Sequence, residues 1–161
     1  MEKAFQLVKQ KYPRAEIVII GEGSLKGDLK TLVKRERISG VYFIGQVSSN
    51  EMPNYYDTAD IYVNPSTIDD FPVSIIEAMA SGLPVITTDA GGILEMVTDG
   101  EDALVVPINS HVAIADRIIE LVENKGLVTG LSQKARENVT RFDLKEYQKN
   151  LAVIYRSLMV S

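Results

Sequence analysis

Residues 64–92 leave this chain few choices of fold. They read Asn-Pro-Ser-Thr-Ile-Asp-Asp-Phe-Pro-Val-Ser-Ile-Ile-Glu-Ala-Met-Ala-Ser-Gly-Leu-Pro-Val-Ile-Thr-Thr-Asp-Ala-Gly-Gly. A β-like run ends at Pro65, and an acidic loop follows at Asp69 and Asp70. Pro72 then opens a helix at its first position, where a missing N–H costs nothing. Ser81-Gly82 closes that helix and Pro84 stops it continuing. A second β-like run over 84–87 breaks into the glycine pair Gly91-Gly92. Strand, loop, helix, strand, loop is the βαβ grammar of a parallel sheet.

Glu77 is the anomaly of that helix. Val73, Ile75, Ile76, Ala78, Met79 and Ala80 make the segment apolar nearly all round, so the helix is expected to be largely buried, and an ionised carboxylate there needs a partner. Glu77 lies one turn from Val73 and projects toward the helix start, where free N–H groups and the positive dipole end favour an anion. The alternative is that Glu77 marks the one solvated stripe of the helix.

The rest of the chain repeats the same grammar. Helical periodicity covers residues 1–12 and stops at Pro13; a strand over 15–20 runs into Gly21-Glu22-Gly23-Ser24 before an amphipathic helix over 25–37. Such a Gly-x-Gly turn brings backbone near a ligand or simply reverses the chain, so Gly21 and Gly23 are candidate binding positions. A strand over 41–44 leads into the loop Gly45-Gln46-Val47, and Ser49 or Asn50 is expected to cap a helix through Asp57. Tyr55 and Tyr56 read as packing residues. A strand over 59–63 enters the central block, and Glu95 follows the glycine pair in a short helical turn. The last strand spans 103–106. Asn109 or Ser110 caps a helix to about Glu123, and another helix covers 127–139. Asp143 caps a final helix to Leu158, with Leu144, Tyr147, Leu151, Ile154, Tyr155 and Leu158 as its apolar stripe. Five strands, each followed by helical sequence, predict an α/β fold with a Rossmann-like, doubly wound parallel sheet in one domain spanning residues 1–161.

Asp69, the Phe-Pro-Val-Ser turn, Glu77 eight positions on, Ala-Met-Ala-Ser-Gly-Leu-Pro-Val-Ile and Gly91-Gly92 with Glu95 resemble the carboxy-terminal half of retaining glycosyltransferases of family 4, which have the GT-B fold. The resemblance runs over most of the chain and implies binding of a nucleotide-sugar donor such as a UDP-hexose or GDP-mannose. It sets Asp69 against the donor sugar as the candidate catalytic residue and Glu77 on the ribose hydroxyls. The backbone N–H groups of Phe71, Val73 and Ser74 then face sugar hydroxyls and the diphosphate, and Gln46 and Val47 lie against the nucleobase. Chemistry agrees: a carboxylate accepts two neighbouring hydroxyls, and amides at a helix start suit a phosphate. The family usually has Glu then Gly where this chain has Asp69 and Asp70. The shorter acid changes the reach toward the sugar, and Asp70, a further candidate donor contact, has to turn its charge away from a diphosphate.

The resemblance also implies a strand ahead of residue 1, whose following loop supplies an Arg and a Lys to the diphosphate, and an amino-terminal domain that brings the acceptor and a catalytic contribution. With strand order 3-2-1-4-5-6, the lost strand is the central one, between those over 15–20 and 59–63. The sheet then closes up, stays incomplete, or recruits another chain as a homo-oligomer. On this reading the chain is a donor half-site that does not transfer sugar unaided, and the whole enzyme associates peripherally with membranes. A second reading makes it a non-catalytic interaction or assembly module descended from such an enzyme.

Composition narrows the classes further. In 161 residues there is room for one domain with a full core. A formal charge of −5 gives no electrostatic footprint for nucleic acid. Without cysteine there is no disulfide framework or thiolate metal site, which suits a reducing compartment, and cytoplasm is the expected location. Neither a cofactor nor a metal is expected. His111, the only histidine, has no partner acid near it in sequence and reads as a surface residue.

Overall fold

The computed structural model describes residues 1–143 and, beyond them, Lys145, Gln148, Lys149, Leu151, Ala152 and Tyr155. Its elements run α1 (Glu2–Lys11), β1 (Ile17–Ile20), α2 (Lys26–Arg35), β2 (Val41–Gly45), α3 (Met52–Thr58), β3 (Tyr62–Asn64), α4 (Val73–Ser81), β4 (Val85–Thr88), α5 (Ile93–Met96), β5 (Leu104–Val106), α6 (His111–Glu123) and α7 (Lys125–Val139), then a 3-10 turn at Thr140–Phe142. The five expected strands and the helices between them are all present.

Local signals account for most boundaries. Gly82 adopts the left-handed conformation after α4 and its N–H turns back onto the helix. Ser110 caps α6 by accepting from the Ala113 N–H, and Asn124 caps α7 by accepting from Leu127. Two expectations shift. Pro72 stands at the N-cap of α4, one place before the first helical residue. Neither Ser49 nor Asn50 caps α3; instead the Glu51 carboxylate accepts from the backbone N–H and hydroxyl of Ser48, at 3.3 and 2.5 Å, the acidic half of a capping box. Asp143 accepts from the Lys145 N–H at 2.8 Å, as a cap would. Of the stripe expected beyond it, Leu151 is half-buried and Tyr155 exposed; Leu144, Tyr147, Ile154 and Leu158 lie outside the described residues.

All strand pairs are parallel, and they form two sheets, β1-β2 and β3-β4-β5, so the expected sheet is incomplete at its centre. β1 and β3 each keep an unpaired edge, the two edges that the expected order sets on either side of the lost strand. The three-stranded sheet is covered on both faces, which is the doubly wound arrangement. On one face Val85, Tyr62 and Val105 pack with Tyr56 of α3, Ile75, Ala78 and Met79 of α4, and Ile93 and Met96 of α5. On the other, Ile86, Leu104 and Val106 pack with Ala4 and Val8 of α1 and Ile114, Ala115 and Leu121 of α6. Successive residues of β4 and β5 therefore face opposite cores, which is why their sequence is apolar without alternation.

The β1-α2-β2 unit is different. α2 has no buried residue, and Val18, Tyr42 and Ile44 are each close to half exposed. Two paired strands with one helix cannot exclude water from their side chains. Amide hydrogen exchange is expected to register this: amides of β1 and β2 should exchange at least ~100-fold faster than those of β4, because a local opening there exposes little apolar surface. Equal protection across both sheets would show that the unit is held by contacts other than those described.

Candidate functional site

The site is built where β3 ends and α4 begins. Asn64, buried at the end of β3, accepts the Ser66 N–H at 3.0 Å and so turns the chain at Pro65. Thr88 of β4 donates its hydroxyl to the Ser66 carbonyl at 2.5 Å, tying this loop to the neighbouring strand. Ser66 in turn reaches the Asp69 carboxylate at 3.5 Å. The acidic loop is therefore anchored at its base.

Gly91 and Gly92 anchor its tip. Gly91 has φ +50°, and a Cβ there would run into the carbonyl oxygen of Asp69; one on Gly92 would strike that of Asp70. The Asp70 Oδ1 lies beside Gly91 as well, 2.9 Å from where that Cβ would sit. The space left by the glycine pair is thus filled by the backbone of Asp69 and Asp70, a partner that nothing in the local sequence announces.

Glu77 is not buried: of the two readings the sequence leaves open, the solvated stripe is the one the structure shows. It lies with Val73 and Ala80 on the exposed stripe of α4, while Ile75, Ala78 and Met79 are fully buried. It is nevertheless held. Tyr56 of α3, 5 % exposed, donates its hydroxyl to Glu77 Oε2 at 2.9 Å. Burial, then the hydrogen bond to Glu77 and its charge, push the Tyr56 hydroxyl well above the ordinary tyrosine range, so it stays a donor. Tyr62 of β3 packs edge-on against Tyr56, with centroids 6.0 Å apart, and donates to the Ser74 hydroxyl at 2.7 Å. Burial pushes the Tyr62 hydroxyl up as well, its hydrogen bond to Ser74 pulls it back, and the charges of Glu77 and Asp69 add smaller upward pushes.

The backbone amides complete the picture. The Ile75 N–H turns back to the Pro72 carbonyl at 3.0 Å, whereas those of Phe71, Val73 and Ser74 have no protein partner among the described residues. Phe71 and Val73 are exposed. Ile68 and Leu94 are exposed apolar side chains as well. The Phe71 ring meets Phe142 edge-on at 5.8 Å, and Arg141 lies over Phe142 while donating to the carbonyls of Glu95 and Met96 at 2.9 and 2.7 Å. Glu95 is exposed, and in these contacts its backbone is what is used.

The other candidates sit at the ends of β1 and β2. The Gly21 N–H donates to the Gly45 carbonyl at 2.7 Å, which brings the Gly21 and Gly23 turn beside Gln46 and Val47. A Glu22–Lys26 ion pair at 2.5 Å covers Gly45. No hydrogen bond or ion pair among the described residues joins this group to Asp69, Asp70, Phe71, Val73, Ser74 and Glu77. Two concavities lie away from both groups: one of about 500 Å³ between α1, α2 and His111, and one of about 310 Å³ beside Asp102 and Asn138. Among the described residues no cluster of acids, histidine or cysteine is arranged to hold a metal ion, and no helix is long and apolar enough to cross a membrane.

This arrangement has known counterparts. The family model for glycosyl transferases group 1 matches residues 1–139. The amylovoran biosynthesis glycosyltransferase AmsK of Erwinia amylovora is 29% identical over 97% of this chain and 39% of its own length. The carboxy-terminal domain of a group 1 glycosyl transferase, LpcC of Francisella tularensis, superposes with a TM-score of 0.77 at 31% identity, covering 89% of this chain and 80% of that one. A TarM variant of S. aureus, solved in complex with fondaparinux, α-GlcNAc-glycerol and UDP, gives 0.76 at 26% identity, over 86% of this chain and 28% of its own. The chain spans about two fifths of the length of the curated relatives it matches. With parallel strands wound on both sides and an acid-flanked helix start after β3, the chain belongs to the glycosyl transferases group 1, as a domain of GT-B fold.

Proposed function

We propose that this chain is the donor-binding, carboxy-terminal domain of a retaining hexosyltransferase of family 4. The observation that carries the reading is the start of α4, where the Asp69 loop packed over Gly91 and Gly92 leads into the amides of Phe71, Val73 and Ser74, unpaired among the described residues. Glu77 follows one turn later, held by Tyr56. Asp69 faces the donor sugar and Glu77 accepts from the ribose diol. Tyr56 occupies one lone pair of Glu77 Oε2, which leaves the other and both on Oε1 for two hydroxyls. The amides of Phe71, Val73 and Ser74 meet the diphosphate, where the positive end of α4 stabilises charge as the nucleotide leaves. Asp70, turned beside Gly91, sits at the edge of that contact. Gln46 and Val47, with Gly21 and Gly23 next to them, hold the nucleobase. The UDP in the TarM complex supports a uridine nucleotide as the first to test.

The transfer itself needs more than this domain. We place an additional parallel strand between the open edges of β1 and β3, from an upstream segment or a second copy, and a further domain facing the head of α4. Isothermal titration of the chain with UDP, UDP-hexoses, GDP and GDP-mannose tests the donor site. Weak binding, with Kd in roughly the 10 μM to 1 mM range, is expected, because residues 38–116, which carry the acidic loop and α4, contain no Lys or Arg to offset the diphosphate. Absence of any heat at millimolar nucleotide would end the donor reading, and submicromolar affinity would show that the site holds a diphosphate without a cation from that segment.

A further inference from the structure

Tyr56 is the one buried hydroxyl among the described residues that ends on a candidate ligand contact, and the reading above assigns it no part. We propose that Tyr56 is a positioning residue for nucleoside recognition: its hydroxyl fixes the Glu77 carboxylate so that a ribose diol meets it in one prepared orientation. The inference rests on the donor-site reading, and its test separates the two.

Glu77 stands on the exposed stripe of α4 with three rotatable side-chain bonds. A glutamate so placed samples many rotamers and must give them up when a ligand binds. Among the described residues the Tyr56 hydroxyl is its only hydrogen-bond partner, at 2.9 Å. Tyr56 is itself immobile: it is 5 % exposed, and its ring packs against Tyr62 at an interplanar angle of 67°. Tyr62 holds Ser74 through a 2.7 Å bond, one turn before Glu77 on the same helix. Two tyrosines from α3 and β3, packed edge to face, thus grip two α4 side chains at the edge of the proposed site. A carboxylate held in advance loses less freedom on binding, so the contribution of Tyr56 is preorganisation without ligand contact.

The experiment compares UDP with 2′,3′-dideoxy-UDP, by titration, in the wild-type chain and in Tyr56→Phe. The phenylalanine keeps the ring packing and removes only the hydroxyl, and a thermal melt checks that folding is unaffected. The wild-type chain should prefer UDP on the order of tenfold, and the variant should lower UDP affinity about three- to tenfold while leaving the dideoxy nucleotide unchanged. In a Glu77→Gln background the tyrosine change should lose most of its effect, as coupled partners do. Equal weakening of both nucleotides, or an unchanged preference in Tyr56→Phe, overturns the inference while the donor site stands. A wild-type chain that binds neither nucleotide overturns both.

Discussion

Replacing Glu77 with glutamine is expected to lower nucleotide-sugar affinity by roughly 10- to 100-fold while leaving the melting temperature within about 2 °C of wild type. The contrast follows from where Glu77 sits. Its side chain is exposed, no ion pair holds it, and its one hydrogen bond among the described residues is accepted from Tyr56. A glutamine carbonyl accepts the same bond, so the fold has little reason to notice. Two ribose hydroxyls notice more, because a charged acceptor gives stronger hydrogen bonds than a neutral one and an amide offers only one acceptor atom. Titration with UDP-hexose alongside a thermal melt reads both quantities. A folded Glu77→Gln chain that binds as well as wild type would pass the argument to the second reading, a non-catalytic interaction module.

Gly91→Ala should do the most damage to the fold near the site. Two costs combine: a left-handed backbone that alanine adopts at about 1–2 kcal/mol, and a methyl driven against the Asp69 carbonyl, for an overpacking cost of about 1–3 kcal/mol. Together these lower stability by roughly 2–5 kcal/mol, or about 4–20 °C in melting temperature for a domain of this size. The obstructing atom is backbone and cannot swing aside. Relief therefore means displacing the acidic loop, and sugar-dependent affinity should fall along with stability. Gly100 is the matched control. It has φ +76° and open space around its Cβ position, so Gly100→Ala carries the backbone strain alone and should cost only about 1–2 kcal/mol with binding intact. Equal losses in the two variants would mean that the contact beneath the acidic loop has no weight.

The same residues show what could be read without coordinates. Gly82 and Pro84 end α4 through their own backbone chemistry, so that boundary was legible from two letters. The sequence leaves Glu77 either in a largely buried helix or on its one solvated stripe, and the choice turns on Val73 and Ala80. They share its exposed stripe, and apolar letters alone do not say which third of a helix faces water. The Ser48-x-x-Glu51 spacing did carry a capping signal, and Ser49 and Asn50 drew attention from it. Other features had no local signal at all. Tyr56 reaches Glu77 across 21 positions of sequence, and the carbonyls that need Gly91 and Gly92 belong to a loop some twenty residues upstream. The division into two sheets was visible only as a count of strands with a gap at the centre.

The contact of Phe142 with Phe71 carries a lesson for anyone choosing where to cut this domain. The family match stops at residue 139, and a fragment ended there would retain β1 to β5 and α1 to α7. It would also lose the ring that backs Phe71 and the guanidinium that clasps the end of α5. Such a trimmed domain would keep both sheets while the loop that carries Phe71 had lost a buttress.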